Sequence, residues 1–122
     1  MKPKKAGRIG ERLARWRLRL MGYRIVETNC RLPGGELDIV ARDGDTLVFV
    51  EVKTATTEEF GRPEEWVDAR KQRRLGRLAT TYLARQGSMD VSCRFDVVAV
   101  SLTGKIPRVK VIRNAFEMGM GE

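Results

Sequence analysis

From Gly35 to Lys53, GELDIVARDGDTLVFVEVK, apolar and polar positions trade places with period 2 on either side of an Asp-Gly-Asp segment. That pattern predicts two strands joined by a tight turn. If the turn centres on Gly44 and Asp45, paired residues have numbers with a constant sum, so that Asp38 faces Glu51 and Glu36 faces Lys53. Three carboxylates and an ammonium are then expected at one end of one sheet face. Leu37, Ile39, Ala41, Val48, Val50 and Val52 make the opposite face uniformly apolar.

On the N-terminal side the period changes to that of a helix. Residues 7–21, GRIGERLARWRLRLM, predict a first helix with Gly22 just past its end. On a helical wheel Arg8, Arg12, Arg15 and Arg19 fall within roughly 60° of one another. Ile9, Leu13, Trp16 and Leu20 lie to one side and Ala14, Leu18 and Met21 round the back, with Glu11 between the latter and the arginines. Most of the helix is expected to be buried, leaving one Arg ridge exposed. Spacing alone makes Glu11 an ion-pair partner of Arg8, Arg15 or another neighbour.

Tyr23 to Thr28 reads as a short strand, and Asn29 to Gly35 as a loop carrying Pro33-Gly34-Gly35. Thr54 to Arg62 is a polar loop, and Pro63 is placed to open a second helix that runs to about Gln86, where Gly87 stops it. Arg70, Arg73 and Arg77 align as a second ridge opposite Leu75, Leu78, Ala79 and Tyr82. Lys71 falls among the apolar positions of that helix and Gln72 at their edge, so both are candidates to point toward the hairpin, against the ordinary alternative of snorkelling. Val91 to Val100 is a strand with Cys93, Phe95, Val97 and Ala99 on one face and Asp96 as a buried, hydrogen-bonded structural carboxylate. Thr103-Gly104-Lys105 turns the chain into a last strand near residues 109–113, with Pro107 arguing for a sheet edge. The order is αβββαββ: an α/β domain with a central mixed sheet flanked by helices. It spans 1–122, with 1–6 and 115–122 expected to be loosely held termini.

Charge adds a partner class. The chain carries 24 Lys and Arg against 16 Asp and Glu, a net charge of +8 and a pI near 10.1. With the two Arg ridges, this favours a polyanion, DNA before RNA. Their bland reading is a solvated face, but four like charges at helical spacing repel unless an anion answers them. No apolar run approaches the roughly 20 residues that span a bilayer, and arginines interrupt any apolar segment behind the basic N-terminus. The protein is expected to have no membrane partner and to stay in the cytoplasm.

The missing residue type is the more selective observation. There is no histidine, which excludes imidazole bases, Ser-His-Asp chemistry and His-ligated zinc. Cys30 and Cys93 lack a zinc-type spacing. Any metal must take oxygen ligands, which favours Mg²⁺ or Mn²⁺. Asp38 and Glu51, facing each other on neighbouring strands, would offer two such ligands to one hard cation, with Lys53 beside it to orient a water or stabilise charge on a phosphate. The competing reading is a cross-strand ion pair between Glu36 and Lys53, a contact that contributes about 0.2–1 kcal/mol.

Gly10-Glu11, Gly35-Glu36-Leu37-Asp38, Phe49-Val50-Glu51-Val52-Lys53-Thr54, Phe60-Gly61 with Pro63, and Arg94-Phe95-Asp96-Val97-Val98 together resemble the YraN-type family of uncharacterised bacterial proteins over nearly the whole chain. That family is similar in turn to the PD-(D/E)xK nuclease superfamily, especially archaeal-type Holliday junction resolvases. The resemblance implies a restriction-endonuclease-like fold, Asp38 and Glu51 as metal ligands, Lys53 as catalytic lysine and Glu11 as an auxiliary acid, overriding the spacing argument for Glu11. Leu37 stands where the superfamily name has proline. Ala55 follows Thr54 where relatives carry arginine, which removes one phosphate contact. The expected function is a Mg²⁺-dependent endonuclease hydrolysing phosphodiesters in DNA, including branched DNA; the alternative is a non-catalytic module that binds nucleic acid or a partner. A homodimer would suit the near two-fold symmetry of a junction.

Overall fold

The computed structural model describes residues 2–57, 66–87 and 90–117. Its elements are α1 (Pro3–Leu20), β1 (Arg24–Leu32), β2 (Gly35–Asp43), β3 (Thr46–Ala55), α2 (Ala69–Gln86), β4 (Cys93–Ser101) and β5 (Arg108–Phe116). The strands form one sheet in the order β1-β2-β3-β4-β5. Neighbours are antiparallel except β3 and β4, which run parallel because α2 lies between them in the chain. The αβββαββ order and mixed sheet are those expected, and they are consistent with a restriction-endonuclease-like fold.

Both faces of the sheet are buried, so the hairpin has no free face at its centre. Ile39, Ala41, Val48, Val50, Val98 and Val100 pack with Ala14 and Leu18 of α1. Val40, Leu47, Phe49, Phe95, Val97 and Ala99 pack with Leu75, Leu78, Ala79, Tyr82 and Leu83 of α2. The β2–β3 register is the one the Gly44-Asp45 turn predicts, with Ile39 opposite Val50 and Asp43 opposite Thr46. Leu37, however, belongs to the α2-side cluster while Ile39 belongs to the α1 side. Alternation therefore breaks at Asp38, and Leu37 leaves the face on which period 2 would put it.

Helix α1 buries a narrower stripe than its apolar content suggests. The covered positions are Ala6, Gly10, Ala14 and Leu18, spaced by four, and three of the four are small, which lets the helix backbone come down onto the sheet. A Cβ on Gly10 would overlap the Thr54 side chain of β3. Trp16 is 55 % exposed and Leu20 64 %, so the expectation of a mostly buried helix is corrected. The helix begins at Pro3, four residues before the expected start at residue 7.

Two further boundaries differ from the sequence reading. Strand β1 continues through Asn29, which takes φ 50°, and the turn shrinks to Pro33-Gly34 with Gly34 at φ 95°. Asn tolerates that left-handed conformation better than most side chains. Helix α2 starts at Ala69, capped by Asp68, whose carboxylate accepts the Lys71 backbone N–H at 2.9 Å. Pro63, expected to open this helix, lies outside the described residues, as do residues 58–62 of the preceding loop and the last five of the tail. Gly87 closes α2 at φ 70°, and β5 runs to Phe116, beyond the expected stop near residue 113.

On β4, beside Val50 of β3, Asp96 is fully buried. It accepts hydrogen bonds from Tyr23 Oη at 2.7 Å, Arg94 Nε at 3.0 Å and the Asn114 backbone N–H at 2.9 Å. Arg94 continues to Asp43 at 2.8 Å. The network fastens the α1–β1 corner to β4 and β5 and has the structural role expected of a satisfied buried carboxylate. Among the described residues no helix is long and apolar enough to cross a membrane.

Candidate active site

The β2–β3 ladder ends with Ile39 opposite Val50, and Asp38 and Glu51 are the residues just beyond it on the two strands. Asp38 Oδ2 accepts the Val52 backbone N–H at 2.8 Å, so the side chain is tied to the neighbouring strand. Burial, followed by the nearby Glu51 carboxyl, pushes the Asp38 carboxyl up to about 8, with Glu11 adding to the rise and the Val52 N–H opposing it.

These acids do not lie on one sheet face as the alternation predicts. Asp38 lines an open cleft of about 280 Å³ on the α1 side, together with Pro3, Ala6, Gly7, Glu11, Val52, Thr54 and Thr56. Glu51 points to the α2 side, where its Oε2 lies 2.9 Å from Lys71 Nζ. The break in alternation at Asp38 turns its side chain to the α1 side while Glu51 stays on the α2 side. Of the two α2 residues expected to reach the hairpin, Lys71 does so. Gln72 does not: its amide donates to the Val67 carbonyl at 2.9 Å, and its side chain lines a separate cleft with Trp66, Val97, Ile112 and Phe116.

Glu11 comes from α1, brought down by the Gly10 contact with Thr54. Its Oε1 accepts from Asn29 Nδ2 at 3.1 Å, and the same amide nitrogen donates to Glu36 Oε1 at 3.1 Å. The spacing-based ion pair of Glu11 with Arg8 or Arg15 is thus replaced by a bond to β1. Glu36 pairs with Arg31 at 3.6 Å and not with Lys53, so the expected cross-strand ion pair is also corrected. Lys53 is exposed, two residues past Glu51 on β3. Asn29 is the residue that sequence reasoning missed. Its signal was an Asn directly before a cysteine in a strand, where a left-handed kink suits Asn but not most neighbours.

The arginines lie where the wheels place them. Arg8, Arg12 and Arg19 on α1 and Arg70, Arg73 and Arg77 on α2 are exposed, and Arg15 is half-buried. Among the described residues no three Asp, Glu, His or Cys side chains converge as a closed metal cage. The acids present are of the oxygen-donor type a hard cation takes: Asp38 and Glu11 on the cleft, and Glu51 near Asp38 on the other side of the sheet. Mg²⁺ characteristically keeps several waters and takes one or two carboxylates, so these residues fit such an ion.

The family model described as "Uncharacterised protein family UPF0102" matches residues 10–100, the span from the Gly10 contact through β4. The chain is 47 % identical over 115 residues to a UPF0102 protein of Geobacter metallireducens, covering 94 % of each sequence. It is 49 % identical over 118 residues to one of Moorella thermoacetica, covering 95 % of this chain and 98 % of that protein. To one of Symbiobacterium thermophilum it is 50 % identical over 115 residues, covering 93 % and 97 %.

Proposed function

We propose that this chain, which belongs to the UPF0102 family, is a divalent-metal-dependent endonuclease that hydrolyses phosphodiester bonds in DNA. The observation that supports the reading is the placing of Asp38 from β2 and Glu11 from α1 on one open cleft, with Glu51 of β3 near enough to raise the Asp38 carboxyl and Lys53 two residues beyond it. A carboxyl raised by burial and by a neighbouring acid is one whose charged form a divalent cation would favour.

In this reading Asp38 and Glu51 hold Mg²⁺ or Mn²⁺, and Glu11 accepts hydrogen bonds from water in the cleft. The ion, when bound, supplies a Lewis acid and lowers the pKa of a water molecule. Lys53 places its ammonium where negative charge grows on the phosphate during attack. The arginines of α1 and α2 grip backbone phosphates. Phosphate contacts carry no base code, so recognition follows the shape of the DNA, branched forms included, before its sequence.

Incubation with junction, flap, linear and single-stranded DNA in Mg²⁺, Mn²⁺ and EDTA tests this. Cleavage of at least one substrate that EDTA abolishes supports the reading; no metal-dependent product from any of them refutes it. One observation favours a second reading, a binding module without chemistry: Lys71 already answers the charge of Glu51, so the metal-free site is internally satisfied. That module would bind nucleic acid in a salt-sensitive way, keep its affinity in Asp38→Ala, and yield no product in any metal.

A further inference from the structure

The contact between α2 and β3 has no part in the chemistry above. Lys71 Nζ stands 2.9 Å from Glu51 Oε2, on a carboxylate that is only 10 % exposed, while the lysine side chain is 35 % exposed. A carboxylate so enclosed needs a cation or a proton close by. For Glu51 the cation is the Lys71 ammonium. The Lys71 backbone is pinned by the Asp68 cap, whereas its four-carbon stem leaves the ammonium free to move.

We propose that Lys71 is the resident cation of the acidic site, and that a divalent ion binding at Asp38 and Glu51 displaces its ammonium from Glu51. The inference rests on the reading of Asp38 and Glu51 as cation ligands. An ammonium at hydrogen-bond distance from Glu51 Oε2 and a divalent ion on the same carboxylate would repel at a few ångströms in a half-enclosed setting. The lysine is the mobile member of the pair, so it is the one to leave. Its released charge joins the exposed Arg70 and Arg73 of the same helix, where it suits a phosphate of the substrate backbone. Lys71 is thus a positioning residue that couples the two events: metal on the carboxylates frees a cation for the anionic substrate, and an anion that holds the lysine away favours the metal.

Equilibrium dialysis of Mn²⁺ against the full chain, without DNA, tests the coupling in wild type, Lys71→Met and Lys71→Arg. Deleting the competing charge should tighten Mn²⁺ binding roughly tenfold, the scale of one charged hydrogen bond, and Lys71→Arg should stay near wild type. A purely structural ion pair would lower thermal stability in Lys71→Met without tightening the ion. Equal or weaker Mn²⁺ binding in Lys71→Met overturns the inference and leaves the metal reading standing. Absence of Mn²⁺ binding in every variant removes the metal reading and this inference with it. Circular dichroism confirms the fold of each variant, and Lys71→Gln takes the place of Lys71→Met if the latter does not fold.

Discussion

Gly10 of α1 is packed against the Thr54 side chain of β3 so closely that a Cβ at residue 10 would overlap the Thr54 hydroxyl. The contact sets the height of the helix above the sheet. It places the next residue, Glu11, on the wall of the cleft that Asp38 also lines.

Gly10→Ala should therefore act on both stability and the site. Overpacking of this kind costs about 1–3 kcal/mol, outweighing the helix-propensity gain of about 1 kcal/mol from replacing Gly by Ala. The midpoint of urea unfolding should fall, and Gly10→Ala combined with Thr54→Ala should recover part of the loss because the clashing hydroxyl and methyl are gone. Additive loss in the double variant would show that Thr54 is not what Gly10 accommodates.

The raised Asp38 carboxyl gives the metal-free protein a pH signature. The Asp38 carboxyl is raised from 3.8 to about 8, so the folded state holds a proton that the unfolded state has lost. Stability from this group is present in full below about pH 4 and is lost as pH rises toward 8. Thermal melts should show this group lowering the midpoint between pH 5 and 8. Asp38→Asn should flatten the slope and stabilise the metal-free protein at pH 8 by about 1–3 kcal/mol. Identical pH slopes in wild type and variant would contradict the assignment.

Asp96 should behave as a structural residue and nothing else. It is fully buried, with bonds to Tyr23, Arg94 and Asn114. Asp96→Ala should cost about 3–5 kcal/mol by leaving those donors short of a partner, and Tyr23→Phe about 1–2 kcal/mol. Tyr23→Phe should leave Mn²⁺ affinity unchanged, since neither Tyr23 nor its partners line the Asp38 cleft; a large change in dialysis would contradict that separation.

What could be read from sequence divides along physical lines. The hairpin register was legible because an Asp-Gly-Asp turn and period-2 alternation fix it locally, and Lys71 was legible from its place on the wheel. The position of Leu37 was not, because the break at Asp38 depends on how β2 is held between two helices. Trp16 and Leu20 were misplaced for a similar reason: a wheel shows an apolar stripe but not which stripe the sheet covers, and the small residues Ala6, Gly10 and Ala14 allowed the closer approach. The start of α2 had a usable signal in Asp68, a good N-cap, that Pro63 overshadowed. The partners of Glu11 and Glu36 depended on Asn29, whose left-handed backbone a strand pattern does not reveal.

The most direct measurement is the rate of product formation in Mn²⁺ from whichever DNA form is cleaved, by wild type, Asp38→Ala and Lys53→Ala at matched folded fraction. Loss of one ligand or of the charge beside the phosphate should lower the rate by about 10²-fold or more. Cleavage that persists at the wild-type rate in both variants would contradict the assignment of this site as the seat of hydrolysis.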